Sequence, residues 1–120
     1  MLSNRGWPGG VVGIVANKLV DRYHKPAILL NESEDGIMRG SARSIEGLHI
    51  TEAIATQKDI LRGFGGHPMA AGMSFDADKL AEFRRGLGKA IEKQLGEIVR
   101  EEPTLQIDAW LGLGEIDISL

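Results

Sequence analysis

The sequence predicts a small α/β domain in which helices flank a short mixed sheet. Segments with helical spacing alternate with segments of strand-like character along 120 residues. The composition, 42% hydrophobic and 26% charged, is close to the globular average. A chain of this length buries roughly two-thirds of its unfolded surface, so we expect one hydrophobic core.

The first predicted element is a helix over residues 11–23, after a turn-rich start. Apolar residues recur there at helical spacing, polar residues occupy the other side, and Pro26 ends the helix. Gly13 and Ala16 have small or absent side chains, which would let a neighbouring element approach closely. The paired glycines Gly9 and Gly10 are interpreted as an ordinary helix start.

A β-hairpin is predicted next. The apolar run 27–30 is followed by an acidic turn at 32–36 and by an alternating run over 37–43. The acidic turn lacks the spacing of a calcium loop, so we interpret it as a solvated turn. A period of two places three side chains of the second strand on one face, which is therefore cationic: Arg39, Ser41 and Arg43.

The middle of the chain predicts a short helix and a loop. Thr51 is placed to cap a helix that ends near Gly63 and contributes four apolar residues: Ala53, Ile54, Ile60 and Leu61. Residues 63–72 contain four glycines, which is too many for regular structure. Because glycine loses the most backbone entropy on ordering, this loop is expected to bend tightly or approach a ligand. Residues 73–75 are predicted as a strand.

A long helix is predicted to run from a cap at Asp76 or Asp78 to about Glu102, with Pro103 as its terminator. Its apolar residues form one stripe: Leu80, Phe83, Leu87, Ile91, Leu95 and Ile98. Residues 105–111 then alternate like a strand, and the tail ends abruptly.

Composition and charge exclude several classes of function. No apolar run approaches the roughly 20 residues of a membrane span, and no signal peptide is recognisable, so we expect a cytoplasmic protein with no membrane partner. The absence of cysteine excludes disulfides and thiolate chemistry. A net charge of −3 argues against a uniformly basic coat, although acidic residues outnumber basic ones only in residues 92–120. Phosphate-loop, serine-hydrolase and zinc-protease motifs are absent.

Gly65, Gly66 and His67 form the first element that suits phosphate. Consecutive glycine N–H groups can form an anion-binding concavity, and the imidazole adds a donor. A tight turn whose histidine bonds the backbone is an equal alternative. No second ligand lies at metal-binding spacing from His67, so we predict no metal site in this chain.

Residues 40–44 form the second such element. Ser41, Arg43 and Ser44 offer hydroxyl and guanidinium donors that match the oxygens of a phosphodiester. Taken alone, this element is better explained as a surface strand with a solvated arginine, but two such elements in one small domain favour phosphate. His24 and His49 are isolated and are interpreted as surface or helix-end residues.

Three ordered motifs resemble one known family: GW at residues 6–7 leading to GVVGIVA at 10–16, GSARSIEG at 40–47, and FGGHPMAAG at 64–72. Together they resemble the DHH-associated domain of the RecJ family, the bacterial single-stranded-DNA-specific exonucleases, over residues 6–102. Pro8 departs from the pattern, because many relatives have a histidine there. Proline offers neither a side-chain donor nor an N–H.

The resemblance implies a function in DNA repair and recombination. Members cleave single-stranded DNA from 5′ to 3′, using Mn²⁺ or Mg²⁺ held by a preceding catalytic DHH domain. It implies that Ser41, Arg43 and Ser44 bind the DNA backbone. It also implies that Gly65 and Gly66 bind the scissile phosphate and that His67 is catalytic.

The resemblance also implies domain boundaries. Residues 1–103 correspond to the substrate-binding domain, and residues 104–120 to the truncated start of the segment that leads to an OB-fold domain. The expected partners are single-stranded DNA and the catalytic domain of the same parent chain. Because that domain is missing here, we expect this piece to bind no metal of its own and to be inactive alone.

Two other functions stay open. One is a nanoRNase or phosphoadenosine-phosphate phosphatase of the same superfamily, which acts on short substrates through similar motifs. The other is a non-catalytic nucleic-acid-binding module, like the DHH-associated region of alanyl-tRNA synthetases. The 6–16 motif and the tail favour the RecJ family.

Overall fold

Five strands form one mixed sheet in the computed structural model, which describes residues 1–96. The elements in chain order are β1 (Leu2–Asn4), α1 (Val12–Tyr23), β2 (Ala27–Glu32), β3 (Ile37–Arg43), α2 (Ile50–Ala55), β4 (Leu61–His67), β5 (Ala70–Asp76) and α3 (Leu80–Gly96). The strand order is β1-β2-β3-β5-β4, with β1 and β2 parallel and the other pairs antiparallel. The predicted α/β class, a small mixed sheet flanked by helices, is confirmed.

The predicted first helix and hairpin are also confirmed. α1 ends at His24, which has a left-handed φ of 52° and whose N–H donates to the Val20 carbonyl. His24 is therefore a helix-end residue, as expected. In β3 the side chains alternate as predicted, since Met38 and Ala42 are buried while Arg39 is exposed.

The predicted cap of the short helix is wrong. The imidazole of His49 accepts the N–H of Glu52 and caps α2, so His49 is a helix-end residue. Thr51 lies inside the first turn, and its hydroxyl donates to the His67 carbonyl instead. The helix also ends earlier than expected, since Ile60 lies in a 3₁₀ turn, Lys58–Ile60, before β4.

The predicted glycine-rich loop is also corrected. Most of it lies in strands β4 and β5, which the two residues Pro68 and Met69 connect. β5 lies between β3 and β4 and pairs along its length with both. This pairing overrides the weak strand propensity of glycine. A single sequence does not reveal such pairing, because the partner strands come from other parts of the chain.

The long helix is confirmed within the described range, where α3 begins after a 3₁₀ turn, Ala77–Lys79. Asp76 occupies the cap position of that turn but makes no capping bond. Its carboxylate instead accepts a hydrogen bond from Nε of Arg62 at 2.6 Å. The predicted helix end at Glu102 and the strand-like tail lie outside residues 1–96. No helix of the described part is long and apolar enough to cross a membrane.

The two faces of the sheet are covered differently. On one face, α2 and α3 enclose the main core, where the rings of Phe75 and Phe83 stack with centroids 4.5 Å apart. On the other face, α1 packs on β2 and β3 through a small cluster: Val12, Ala16, Ala27 and Leu29. The β4 side of that second face stays exposed.

Candidate functional site

Arg43 and His67 lie in one row across the sheet. Arg43 of β3 pairs with Ala70 of β5, which pairs with His67 of β4. Directly paired residues share a face, and neighbouring strands are about 4.8 Å apart, so the two Cα atoms are separated by about 10 Å. The guanidinium and the imidazole therefore belong to one surface.

The neighbouring rows complete this surface. Ser41 pairs with Gly72, which pairs with Gly65, and Arg39 pairs with Ser74, which pairs with Gly63. We call the surface formed by these three rows the open face. It contains a shallow depression of about 460 Å³, lined by Arg39, Gly40, Gly63, Phe64, Gly65, Gly72, Met73 and Ser74.

Arg43 extends towards the first turn of α1. A Cβ atom on Gly13 would lie 2.7 Å from Nη2 of Arg43 and 3.6 Å from Oγ of Ser41, so the missing side chain makes room for the guanidinium. The Nη1 group donates to the Ala42 carbonyl at 2.9 Å. No carboxylate among residues 1–96 forms an ion pair with Arg43. The group that approaches Gly13 closely is therefore the side chain of Arg43.

Unlike Arg43, Arg39 forms an ion pair with a carboxylate. Its guanidinium donates to Ser33 Oγ at 2.7 Å and to Asp35 Oδ2 at 3.3 Å. The hydrogen bond from Arg39 lowers the pKa of the Asp35 carboxyl below its usual value. Arg43 is therefore the less compensated guanidinium of the two.

One ring nitrogen of the exposed His67 side chain, Nδ1, accepts a hydrogen bond within the described residues. Its Nδ1 accepts the Met69 N–H at 3.3 Å, and its carbonyl accepts the Thr51 hydroxyl at 2.7 Å. A neutral imidazole whose Nδ1 accepts must carry its proton on Nε2. Because His67 is exposed, this Nε2–H is available to a phosphate oxygen.

Ser44 is placed differently from the other predicted donors. It is only 3% exposed, and its hydroxyl donates to the Leu48 carbonyl at 2.6 Å. Its N–H donates to the Met69 carbonyl at 2.8 Å. The structure therefore brings Ser41, Arg43 and His67 to the open face and places the Ser44 hydroxyl in the interior.

Gly65 and Gly66 do not form the concavity expected from sequence. Both lie in β4, where successive N–H groups point to opposite sides. Because β4 is an edge strand of the sheet formed by residues 1–96, one of the two N–H groups points outwards, where that part of the chain places no neighbouring strand. Gly66 has a φ of 154°, and a Cβ there would overlap the Ala70 carbonyl, whereas Gly65 has open space around it.

The described residues hold no group of three or more histidine, cysteine, aspartate or glutamate side chains that could bind a metal ion. Sequence reasoning missed the role of Thr51, because a contact sixteen residues away leaves no local signal. It also missed β1, whose three residues are all exposed and carry no strand pattern.

Comparisons with known proteins agree on one family. A family profile described as "DHHA1 domain" matches residues 1–93. The chain is 43% identical over 121 residues to the single-stranded-DNA-specific exonuclease RecJ of Bacillus subtilis, covering 98% of this chain and 15% of that protein. It is 38% identical to RecJ of Escherichia coli, covering 81% of this chain and 18% of that protein. The chain thus spans less than a fifth of these relatives.

Solved structures show the same likeness. RecJ from Thermus thermophilus in complex with Mg²⁺ superposes with a TM-score of 0.66 at 26% identity, over 77% of this chain and 14% of that one. The C-Ala domain of Aquifex aeolicus alanyl-tRNA synthetase gives a TM-score of 0.60 at 18% identity, over 75% of this chain and 89% of that one. The second likeness shows the fold alone.

Proposed function

Because the chain belongs to the DHHA1 domain family, we propose that its open face binds the sugar-phosphate backbone of single-stranded DNA. The parent protein is then a RecJ-type exonuclease whose catalytic domain, outside this chain, holds the metal ions. The observation that carries the proposal is the single row that places Arg43 and His67 on one face with one strand between them.

Arg43 and Ser41 are the proposed backbone-binding pair. A guanidinium provides several N–H donors in a planar fork, which suits the oxygens of a phosphodiester. The Ser41 hydroxyl lies on the same face, and the missing side chain of Gly13 leaves room for the Arg43 guanidinium. A phosphate here would supply the negative charge that Arg43 lacks among the described residues.

His67 is the proposed catalytic residue. Its Nε2–H would donate to a non-bridging oxygen of the scissile phosphate and stabilise the charge that develops there. The outward N–H of the Gly65–Gly66 pair would add a donor at the sheet edge. Ser44 would contribute by holding the end of β3 in place, because its hydroxyl proton is bonded to Leu48.

The cutting step belongs to the missing part of the parent. Hydrolysis of a phosphodiester by two metals requires clustered carboxylate and imidazole ligands, and residues 1–96 contain no such cluster. RecJ structures from Thermus thermophilus are complexes with Mg²⁺ and with Mn²⁺, which supports either ion in the parent enzyme. The open face would then hold the strand against those ions.

The test measures binding of a fluorescent single-stranded oligonucleotide by anisotropy over a range of salt concentrations. Arg43→Gln is expected to weaken binding and to reduce the slope of log K against log salt by about 1, because one phosphate contact is lost. Arg22→Gln, at an exposed position of α1, is the control for general loss of charge and is expected to change DNA binding little.

Equal effects of the two substitutions would contradict a defined phosphate contact at Arg43. A second measurement compares cleavage of long single-stranded DNA and of dinucleotides by the intact parent. Preference for dinucleotides would favour the nanoRNase-type function, and absence of any cleavage would favour a binding module.

A further inference from the structure

The turn that carries His67 is held from outside its own hairpin. Three donors from the segment between β3 and the first turn of α2 bond the three carbonyls of residues 67–69. These bonds are Thr51 hydroxyl to His67 at 2.7 Å, Ile50 N–H to Pro68 at 3.0 Å, and Ser44 N–H to Met69 at 2.8 Å. We call the three donors the clamp.

The clamp controls a bond that determines which ring nitrogen of His67 is protonated. The Met69 N–H reaches Nδ1 of His67 only while the turn keeps its present shape. In the neutral ring, that bond makes Nδ1 an acceptor and leaves the proton on Nε2 of an exposed side chain. The orientation of the imidazole therefore depends on hydrogen bonds made by residues outside β4.

The clamp also connects His67 to Arg43. Ser44 follows Arg43 directly, and its buried hydroxyl bonds the Leu48 carbonyl, which holds the chain on its way into α2. Two sets of hydrogen bonds therefore fix the distance between Arg43 and His67: those between the paired strands and those of the clamp. Within the clamp, Thr51 is the only member that bonds the turn through its side chain.

We propose that Thr51 is a positioning residue for His67, because its hydroxyl holds the His67 carbonyl and so keeps the imidazole Nε2–H directed to the open face. This inference rests on the proposed phosphate-binding role of His67 for its functional meaning. Its structural content, a defined tautomer that depends on a threonine hydroxyl, can be measured separately.

The experiment records the ¹⁵N spectrum of the His67 imidazole at a pH where the ring is neutral. Thr51→Val keeps the shape of the side chain and removes the donor, and Thr51→Ser keeps the donor. The control is Thr56→Val, which removes a hydroxyl bonded at 2.7 Å to the Ala53 carbonyl of the same helix, away from the His67 turn.

The protein and the Thr51→Ser and Thr56→Val variants are expected to show the Nε2–H tautomer. In Thr51→Val the preference for that tautomer is expected to fall about fivefold, the effect of one net hydrogen bond. The Met69 amide is expected to exchange with solvent faster by a similar factor. An unchanged tautomer ratio and Met69 exchange rate in Thr51→Val would overturn the inference.

DNA binding separates this inference from the proposed function. If Thr51→Val changes the tautomer but His67→Ala leaves oligonucleotide binding and parent turnover unchanged, then the clamp is supported and the proposed role of His67 is contradicted. If Thr51→Val leaves the tautomer unchanged, the inference fails whatever the DNA measurements give.

Discussion

Three polar side chains in and beside the open face differ in how many of their hydrogen-bonding groups are already paired within the protein. Within residues 1–96, Arg43 has one backbone hydrogen bond and no carboxylate partner, and Nε2 of His67 has no hydrogen-bond partner. The Ser44 hydroxyl is bonded inside the protein. At the scale of single residues, the proposed chemistry therefore rests on Arg43 and His67, while Ser44 and Thr51 hold them in position.

The expected effect of His67→Ala follows from this division. In the intact parent enzyme, we expect turnover to fall about a hundredfold, because one donor to the developing charge is lost. Binding of the oligonucleotide should fall much less, since Arg43 and Ser41 keep their contacts. Steady-state kinetics and anisotropy measure the two quantities. Equal losses in both would make His67 a simple backbone contact.

At the scale of elements, two neighbouring glycines of the edge strand β4 differ in whether the fold would accept a side chain at their position. The backbone at Gly66 has a φ of 154° and leaves no space for a Cβ beside the Ala70 carbonyl. Gly65 has space for a side chain, and its φ is not in the left-handed region. The fold thus requires Gly66 but leaves position 65 free.

This contrast predicts opposite effects on stability. Gly66→Ala is expected to lower the free energy of unfolding by about 1–3 kcal/mol, because the strained backbone and the overlap must be relieved. Gly65→Ala is expected to raise it by about 0.5 kcal/mol, because alanine loses less backbone entropy. Urea unfolding of both variants measures these changes. A Gly65→Ala variant as unstable as Gly66→Ala would contradict the described path of β4.

At the scale of the whole molecule, the two faces of the sheet are covered to different extents. One face is covered by α2 and α3 around the stacked Phe75 and Phe83 rings and supplies the main core. On the other face, α1 packs on β2 and β3, and the β4 side stays exposed. The net charge of −3 describes the whole chain, whereas Arg39 and Arg43 both lie on the open face.

This arrangement predicts that the 120-residue chain binds single-stranded DNA without cutting it. Incubation with Mn²⁺ and 5′-labelled single-stranded DNA is expected to release no mononucleotide, because we propose that the metal ligands lie in the catalytic domain of the parent protein. The intact parent enzyme under the same conditions is the positive control. Release of product that a chelator abolishes would show that the chain is a complete nuclease.

Local patterns predicted the elements whose periodicity is regular. The apolar spacing of α1, the alternation of β3 and the stripe of α3 each follow from burial of one face or side, so a single segment is enough to read them. The residue types at Ser41, Arg43 and His67 also indicated phosphate through the chemistry of their donors. Their contact with DNA stays a prediction.

By itself, the amino-acid sequence determined the α/β class, the cationic face of β3 and the chemistry of its donors, because these depend on short-range periodicity and on residue type. Only the tertiary structure decided that the glycine-rich segment forms strands, that Ser44 is buried and that Thr51 bonds His67. These outcomes depend on pairing with β3 and on contacts between residues far apart in the chain. Such long-range interactions leave no pattern within one segment.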